Sequence, residues 1–258
     1  MEGLKTLLEK LKTKKQKLDK YKPLPAELIK NLSQWFNVEL TYTSNAIEGN
    51  TLTRTETAVV VEKGLTIGGK TVKEHLEALN HGITLSFVEK KLISKKREQL
   101  TVDDILSIHG LILRTIDDEH AGIYRTVAVR IAGSPVVLPN PMKVPELMSN
   151  FMNWLHNATG NPVIISADAH LKFVGIHPFV DGNGRTARLL MNLLLMQEGY
   201  PPVIIHPEER VRYIDALEKA HLKNDPDDFY KLIVDAVDRS LDIYLEAVEK
   251  SNLKTKWI

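Results

Sequence analysis

A helix–loop–helix in the middle of the chain constrains the fold most. An apolar, helix-like stretch from Val163 to Ile176 runs into a sharp loop, and a second apolar helix, Arg185 to Gln197, leaves it. The joining stretch reads His177-Pro178-Phe179-Val180-Asp181-Gly182-Asn183-Gly184-Arg185-Thr186-Ala187-Arg188. Backbone N–H groups at a helix start have no partner of their own, and the helix dipole favours negative charge there. Gly182 and Gly184 let the backbone take positive φ and let a ligand come close, and Asn183 tolerates such conformations better than most residues. The loop is therefore a cradle for phosphate oxygens. Arg185 and Arg188 lie three apart, on one helix face, so both guanidiniums are expected to reach a phosphate chain seated there. Asp181 supplies the hard oxygen that Mg²⁺ takes alongside substrate phosphates. His177 is the group beside them able to move protons near neutral pH. Taken singly, Asp-Gly-Asn-Gly is an ordinary capping turn and a His before Pro is structural. Together these residues serve a single chemistry.

The stretch resembles the signature of Fic-domain proteins, His-Pro-Phe-x-Asp/Glu-Gly-Asn-Gly-Arg-x-x-Arg, and every specified position is matched. The resemblance implies a mainly α fold, a Fic-type helical bundle with a β-hairpin flap. It also implies transfer of a nucleotide phosphate group, usually AMP from ATP, to a Ser, Thr or Tyr hydroxyl of a target protein. The related Doc kinases carry Ala and Lys where Gly182 and Gly184 stand, which puts this chain on the AMP-transferring side. In that scheme His177 is the general base and Asp181 holds Mg²⁺ (or Mn²⁺). Gly182, Asn183, Gly184, Arg185, Thr186 and Arg188 hold ATP.

Upstream, residues 3–20 read as a lysine-rich amphipathic helix with Leu4, Leu7, Leu8, Leu11 and Leu18 as its stripe and a solvated lysine face. Pro23 and Pro25 break it. A helix from about Pro25 to Ile47 follows, with Leu28, Leu32, Trp35, Phe36 and Leu40 at core spacing. Glu48 at its end opposes the helix dipole and calls for a cationic partner. Ser44-x-x-x-Glu48-Gly49 resembles the inhibitory motif of Fic proteins, Ser/Thr-x-x-x-Glu-Gly/Asn, in the version placed before the core. The resemblance implies that Glu48 pairs with Arg188 and fills the space of the ATP γ-phosphate. From Ser44 onward the chain is also similar to the metazoan endoplasmic-reticulum branch of the family, whose members both attach and remove AMP. The membrane anchor and tetratricopeptide repeats upstream in that branch have no counterpart in this sequence.

Thr53 and Glu56 form a capping box that opens a helix to about Lys63. A turn-rich connector, 64–69, leads to a long helix over about Val72 to Ile93, with Leu76, Leu79, Ile83 and Phe87 facing inward. Thr101 and Asp104 cap a helix to about Thr115, in which His109 reads as a core or boundary residue. Residues 122–140 break the helical pattern. Two β-branched runs, Val127 to Ile131 and Val136 to Leu138, flank Gly133-Ser134-Pro135 and predict a hairpin. In Fic proteins a hairpin at this place, the flap, pairs with the target segment by strand addition. Ile131, Ala132, Gly133 and Ser134 at its tip would lie over the nucleotide. A helix from Val144 to Asn157 precedes the one that Pro162 opens. After the signature, a helix from Pro207 to about Lys223 places Tyr213 and His221 where Fic relatives hold the adenine. A last helix reaches about Glu249. The resemblance divides the chain into N-terminal helices ending in the inhibitory helix (1–50), a Fic core (51–225) with flap 122–140 and signature loop 177–188, and a C-terminal helix (226–258). No linker cuts these into independent domains.

Composition serves mainly to exclude. With no cysteine there is no disulfide and no thiolate metal site, and His170 lacks the HExxH context of a zinc site. A net charge of +1 and the lack of a basic recognition helix argue against nucleic acid. No run reaches the ~18 apolar residues of a spanning helix and none reads as a signal peptide, so no membrane partner and a cytoplasmic location are expected. The expected partners are ATP, a target protein and, by family habit, a second copy in a homodimer. Two other readings stay open: transfer of a different nucleotide on the same scaffold, and a nucleotide-binding interaction module that no longer turns over.

Overall fold

The computed structural model describes residues 2–255, and ten α-helices carry that chain. They are α1 (Glu2–Asp19), α2 (Ala26–Ile47), α3 (Arg54–Lys63), α4 (Val72–Phe87), α5 (Val102–Leu113), α6 (Val144–Asn157), α7 (Pro162–Ile176), α8 (Asn183–Gln197), α9 (Arg210–Lys223) and α10 (Asp227–Thr255). The last runs past its expected end at Glu249. Local side chains set several starts. Thr53, Thr71 and Thr101 each accept the N–H three residues on, while Glu56, Glu74 and Asp104 bond back to the cap. These reciprocal bonds satisfy donors that a helix start would leave bare. None of the described helices is long and apolar enough to cross a membrane.

α7 and α8 are buried on opposite faces by two apolar clusters. One joins Phe36 and Leu40 of α2 to Ile105 and Ile108 of α5, Phe151 of α6, Phe173 of α7 and Leu190 of α8. The other joins Leu11 and Leu18 of α1 to Ala167 of α7, Met191 of α8, and Phe229, Ile233 and Val237 of α10. A helix apolar on all sides has to be central, and the loop between two such helices is held at the middle of the bundle. α1 lies along α10. Lys10 and Lys14 meet Asp238, Lys14 also meets Asp242, and Lys17 meets Glu249, all at 2.6–2.8 Å. Part of the lysine face is thus paired rather than simply solvated.

Three expectations are corrected. Trp35 is 43% exposed, outside the core. α4 is rotated relative to its apolar residues: Leu79 and Phe87 pack half-buried against the apolar clusters, but Ile83 is exposed, and His75, Ala78, Asn80, His81, Thr84 and Leu85 are the buried ones. The polar ones have partners that make burial affordable: His81 Nδ1 meets Thr41 Oγ1 at 3.0 Å, and Asn80 donates to the carbonyls of Ile112 and Arg114. The helix then continues through one π-helical turn, Val88–Leu92.

The third correction is the hairpin. No strand forms among the described residues, and 126–140 is an extended excursion with a turn bond from Ser134 N–H to the Ile131 carbonyl, 3.1 Å. Pro135 and Pro139 remove two donors from any ladder, and Val137, 92% exposed, has no apolar surface to lean on. Arg125 anchors the base of the excursion. Its Nε donates to the His177 carbonyl (2.8 Å), Nη1 to that of Val127 (3.1 Å) and Nη2 to that of Pro139 (2.7 Å).

Candidate active site

The signature loop hangs from buried groups beneath it. α7 ends on His177, whose left-handed backbone (φ 51, ψ 61) turns the chain while its N–H still bonds the Phe173 carbonyl. Phe179 is fully buried and stacks face to face on His109, with ring centroids 3.5 Å apart. Asn183 closes both backbone groups of Phe179, accepting its N–H at 3.0 Å and donating to its carbonyl at 2.9 Å. His109 Nδ1 accepts the Gly122 N–H at 2.9 Å, so Nε2 carries the proton and donates to the Asp181 carbonyl at 2.9 Å. Burial holds the pKa of His109 to about 4, which keeps this tautomer neutral. Gly182 has φ 74, and a Cβ there would crowd the His109 ring at 3.2 Å, so the turn needs glycine.

Above this floor opens a cleft of about 600 Å³. Its lining comes from four places: Ile47 and Glu48 at the end of α2, Ile131 to Ser134 of the excursion, His177 with the loop through Gly184 and Arg188, and Arg210, Tyr213, Ile214, Leu217 and Glu218 of α9. Burial lowers the His177 pKa to about 4; the Val174 carbonyl works against this and Arg125 with it. The imidazole is therefore neutral at pH 7, the form a general base needs.

Glu48 sits in the cradle itself. Its Oε1 accepts from Arg188 Nη2 at 2.7 Å and lies so close over Gly184 that a Cβ there would overlap it. Arg188 also donates from Nε to Ser44 Oγ and from Nη2 to the Ser44 carbonyl, both at 3.0 Å, and from Nη1 to Tyr213 OH at 3.4 Å. Burial works against the Arg188 charge, but Glu48 and Tyr213 outweigh it and the pKa is raised. Tyr213 in turn meets His170 Nε2 at 2.9 Å, which gives that buried histidine a structural partner. The end of the predicted inhibitory helix and the start of the signature helix thus face each other through one ion pair, with Ser44 bracing it.

Other predicted residues are placed differently. Arg185 does not face the cleft. Its side chain is 3% exposed, with Nη1 3.3 Å from Glu77 Oε1 and Nη2 3.4 Å from Asp181 Oδ2. A step of three residues leaves an angular offset of about 60°, enough for α4 to capture one arginine and α2 the other. Thr186 is buried in the first turn of α8, its N–H bonded to the Gly182 carbonyl. His221 lies over Gly175 in a neighbouring depression with Asp168, Lys172 and Tyr230, outside the lining of the cleft.

No cluster of three or more metal-binding side chains exists among the described residues. Asp181 is half exposed, one carboxylate oxygen taking the Gly182 N–H at 2.6 Å. A single carboxylate beside a phosphate cradle suits Mg²⁺, which keeps waters and phosphate oxygens as most of its ligands. Four residues that position the site were not singled out for it from sequence: Arg125, His109, Glu77 and Arg210. Their partners lie far along the chain, and no local pattern marks them.

The comparisons agree with this geometry. The family model described as Fic/DOC family matches residues 99–195. The protein adenylyltransferase Fic of Drosophila virilis is 41% identical over 209 residues, 80% of this chain and 42% of that protein. The Drosophila melanogaster protein of the same name is 40% identical over the same length. This chain therefore spans about two-fifths of the length of the curated relatives it matches. Among solved structures, Fic-1 from C. elegans superposes with a TM-score of 0.87 at 32% identity, covering 96% of this chain and 73% of that one. A Fic-domain-containing signaling protein from Bacteroides thetaiotaomicron gives 0.84 at 29% identity, covering 95% and 98%. The likeness extends over nearly all the helices, well beyond the signature loop, and the chain belongs to the Fic/DOC family.

Proposed function

We propose that the protein transfers AMP from ATP to a hydroxyl of a target protein and that Glu48 holds it at rest. The observation that carries this reading is the convergence in one cleft of a neutral His177, the Gly182–Gly184 cradle, and Arg188 bonded to Glu48. The α- and β-phosphates rest on the N–H groups at the start of α8. His177 takes the proton of a Ser, Thr or Tyr hydroxyl. The hydroxyl oxygen forms the new bond to the α-phosphorus, the bond to the bridging oxygen breaks, and pyrophosphate leaves. A general base of this kind is worth roughly 10²–10⁴-fold, and fixed donors aimed at the developing charge supply much of the rest. Asp181 would hold a divalent metal, which supplies charge neutralisation on the phosphates. The extended 131–134 segment, with its backbone groups unpaired in a ladder, would hold the target strand above the nucleotide. Because Glu48 and His177 line the same cleft, removal of AMP by a water aligned on Glu48 is the companion reaction this geometry favours.

Incorporation of α-labelled ATP into the purified protein with Mg²⁺ tests the reading. Glu48→Gly is expected to raise label on the protein at least about tenfold, and adding His177→Ala to remove it by the 10²–10⁴-fold order above. Equal label in wild type and Glu48→Gly would overturn the restraint; label surviving His177→Ala would overturn the base.

A further inference from the structure

We infer that Arg210 is the second phosphate-binding cation of the cleft, taking the outer end of the triphosphate across from Arg188. The inference rests on the nucleotide reading above and begins from a shortage of positive charge. ATP brings a polyanion, yet the signature helix offers it one guanidinium. Arg185 is sealed beneath the loop, its charge met by Glu77 and Asp181. Arg188 remains, and three of its donor bonds go to Ser44 and Tyr213.

Arg210 stands on the opposite wall as the first residue of α9, exposed and lining the same cleft. Its Nε donates to the Ile47 carbonyl at 2.7 Å. That bond fixes the stem of the side chain one residue from Glu48, and it satisfies a carbonyl at the end of α2. The Arg210 side chain makes no ion pair among the described residues, and the Ile47 carbonyl is its one hydrogen-bond partner there. Both terminal nitrogens are therefore an open fork, the geometry that meets phosphate oxygens two at a time. Arg188 approaches the end of α2 from α8, and Arg210 approaches it from α9. An anion that displaces the Glu48 carboxylate enters between the two. The acidic residue of α9 that lines the cleft, Glu218, lies two helical turns further along the helix and makes no ion pair with Arg210 among the described residues.

The test is calorimetric binding of ATP, ADP and AMP, each with Mg²⁺, to the Glu48→Gly protein with and without Arg210→Ala. A charged hydrogen bond lost at this position is expected to weaken ATP about tenfold, while AMP changes less than about twofold. Arg210→Lys, which keeps the charge but loses the fork, should fall between. Unchanged ATP affinity in Arg210→Ala overturns the inference. An equal loss for ATP and AMP also overturns it, because that result marks a purely structural role through Ile47. If Glu48→Gly with Arg210 intact binds no ATP at all, the nucleotide reading fails and the inference goes with it, a result distinct from the other two.

Discussion

His109 makes two hydrogen bonds to backbone and one ring stack, and all three hold the turn at Asp181–Gly182. His109→Ala would leave the Gly122 N–H and the Asp181 carbonyl without partners and open a cavity under Phe179. The expected cost is about 2–4 kcal/mol in urea unfolding, together with a loss of AMP transfer. A variant that keeps full stability would show that Asn183 alone suspends the loop. None of this was legible in the sequence, where His109 is one histidine on an apolar helix face; its partners are 13 and 72 residues away. His177 was legible, because the residues that give it a role are its immediate neighbours. Its depressed pKa of about 4 has a kinetic consequence. The imidazole stays unprotonated far below the ordinary 6.5, so transfer by the Glu48→Gly protein should be level from about pH 8 to 6. A rate that halves near pH 6.5 would contradict the burial argument.

Among elements, the helix starts at Thr53 and Thr101 could be read directly because a capping box is complete within four residues. The rotation of α4 could not. Its buried face carries His81, Asn80 and Thr84, and their burial is paid for by partners on α2 and α5 or by the helix's own backbone. An apolar-periodicity reading puts Ile83 inside for want of that information. The same rotation brings Glu77 to Arg185, which explains why only one of the two signature arginines reaches the cleft. The hairpin failed for a related reason: the β-branched runs are real, but Arg125 ties their bases to the loop and nothing covers their faces. Where the end of α2 meets the start of α8, the Glu48 carboxylate lies over Gly184, which has ordinary negative φ but no room for a Cβ. Gly184→Ala should therefore leave global stability within about 1 kcal/mol while displacing Glu48. It should still abolish ATP binding, since the added methyl would stand where the proposed site seats a phosphate oxygen. Tight ATP binding by Gly184→Ala would mean that the cradle lies elsewhere on the loop.

Across the whole molecule, α7 and α8 are shared by both cores, so the site is built into the most buried part of the bundle and its histidines are buried with it. Desolvation holds His81 at about 3, His109 at about 4 and His170 well below its ordinary value. Each folded pKa lies below the unfolded one, so the unfolded chain binds more protons in acid. Stability is whole above about pH 6.5 and is lost as pH falls toward the folded values, by about 1.4 kcal/mol per pH unit for each histidine. Glu39 and Glu89, whose pKa values burial raises, act in the opposite sense closer to the carboxylate range. The clean window is therefore pH 6.5 to 5. Thermal melting should fall steeply across it, and an unchanged midpoint would show that these imidazoles reach solvent. The helical architecture and the central loop were legible from pattern alone. The polar interior was not, because burial of a histidine depends on which distant group answers it.

Glu48 is fixed to the end of a helix, and its carboxylate behaves toward the cradle as a tethered counter-ligand. Its local concentration, on the order of millimolar for a short tether, does not change when the protein is diluted. On the function proposed above, dissolved nucleotide has to compete against that constant. The fraction of open protein would then follow the ratio of free nucleotide to this internal concentration, and an agent that pulled the end of α2 back by one residue's length would act by lowering it.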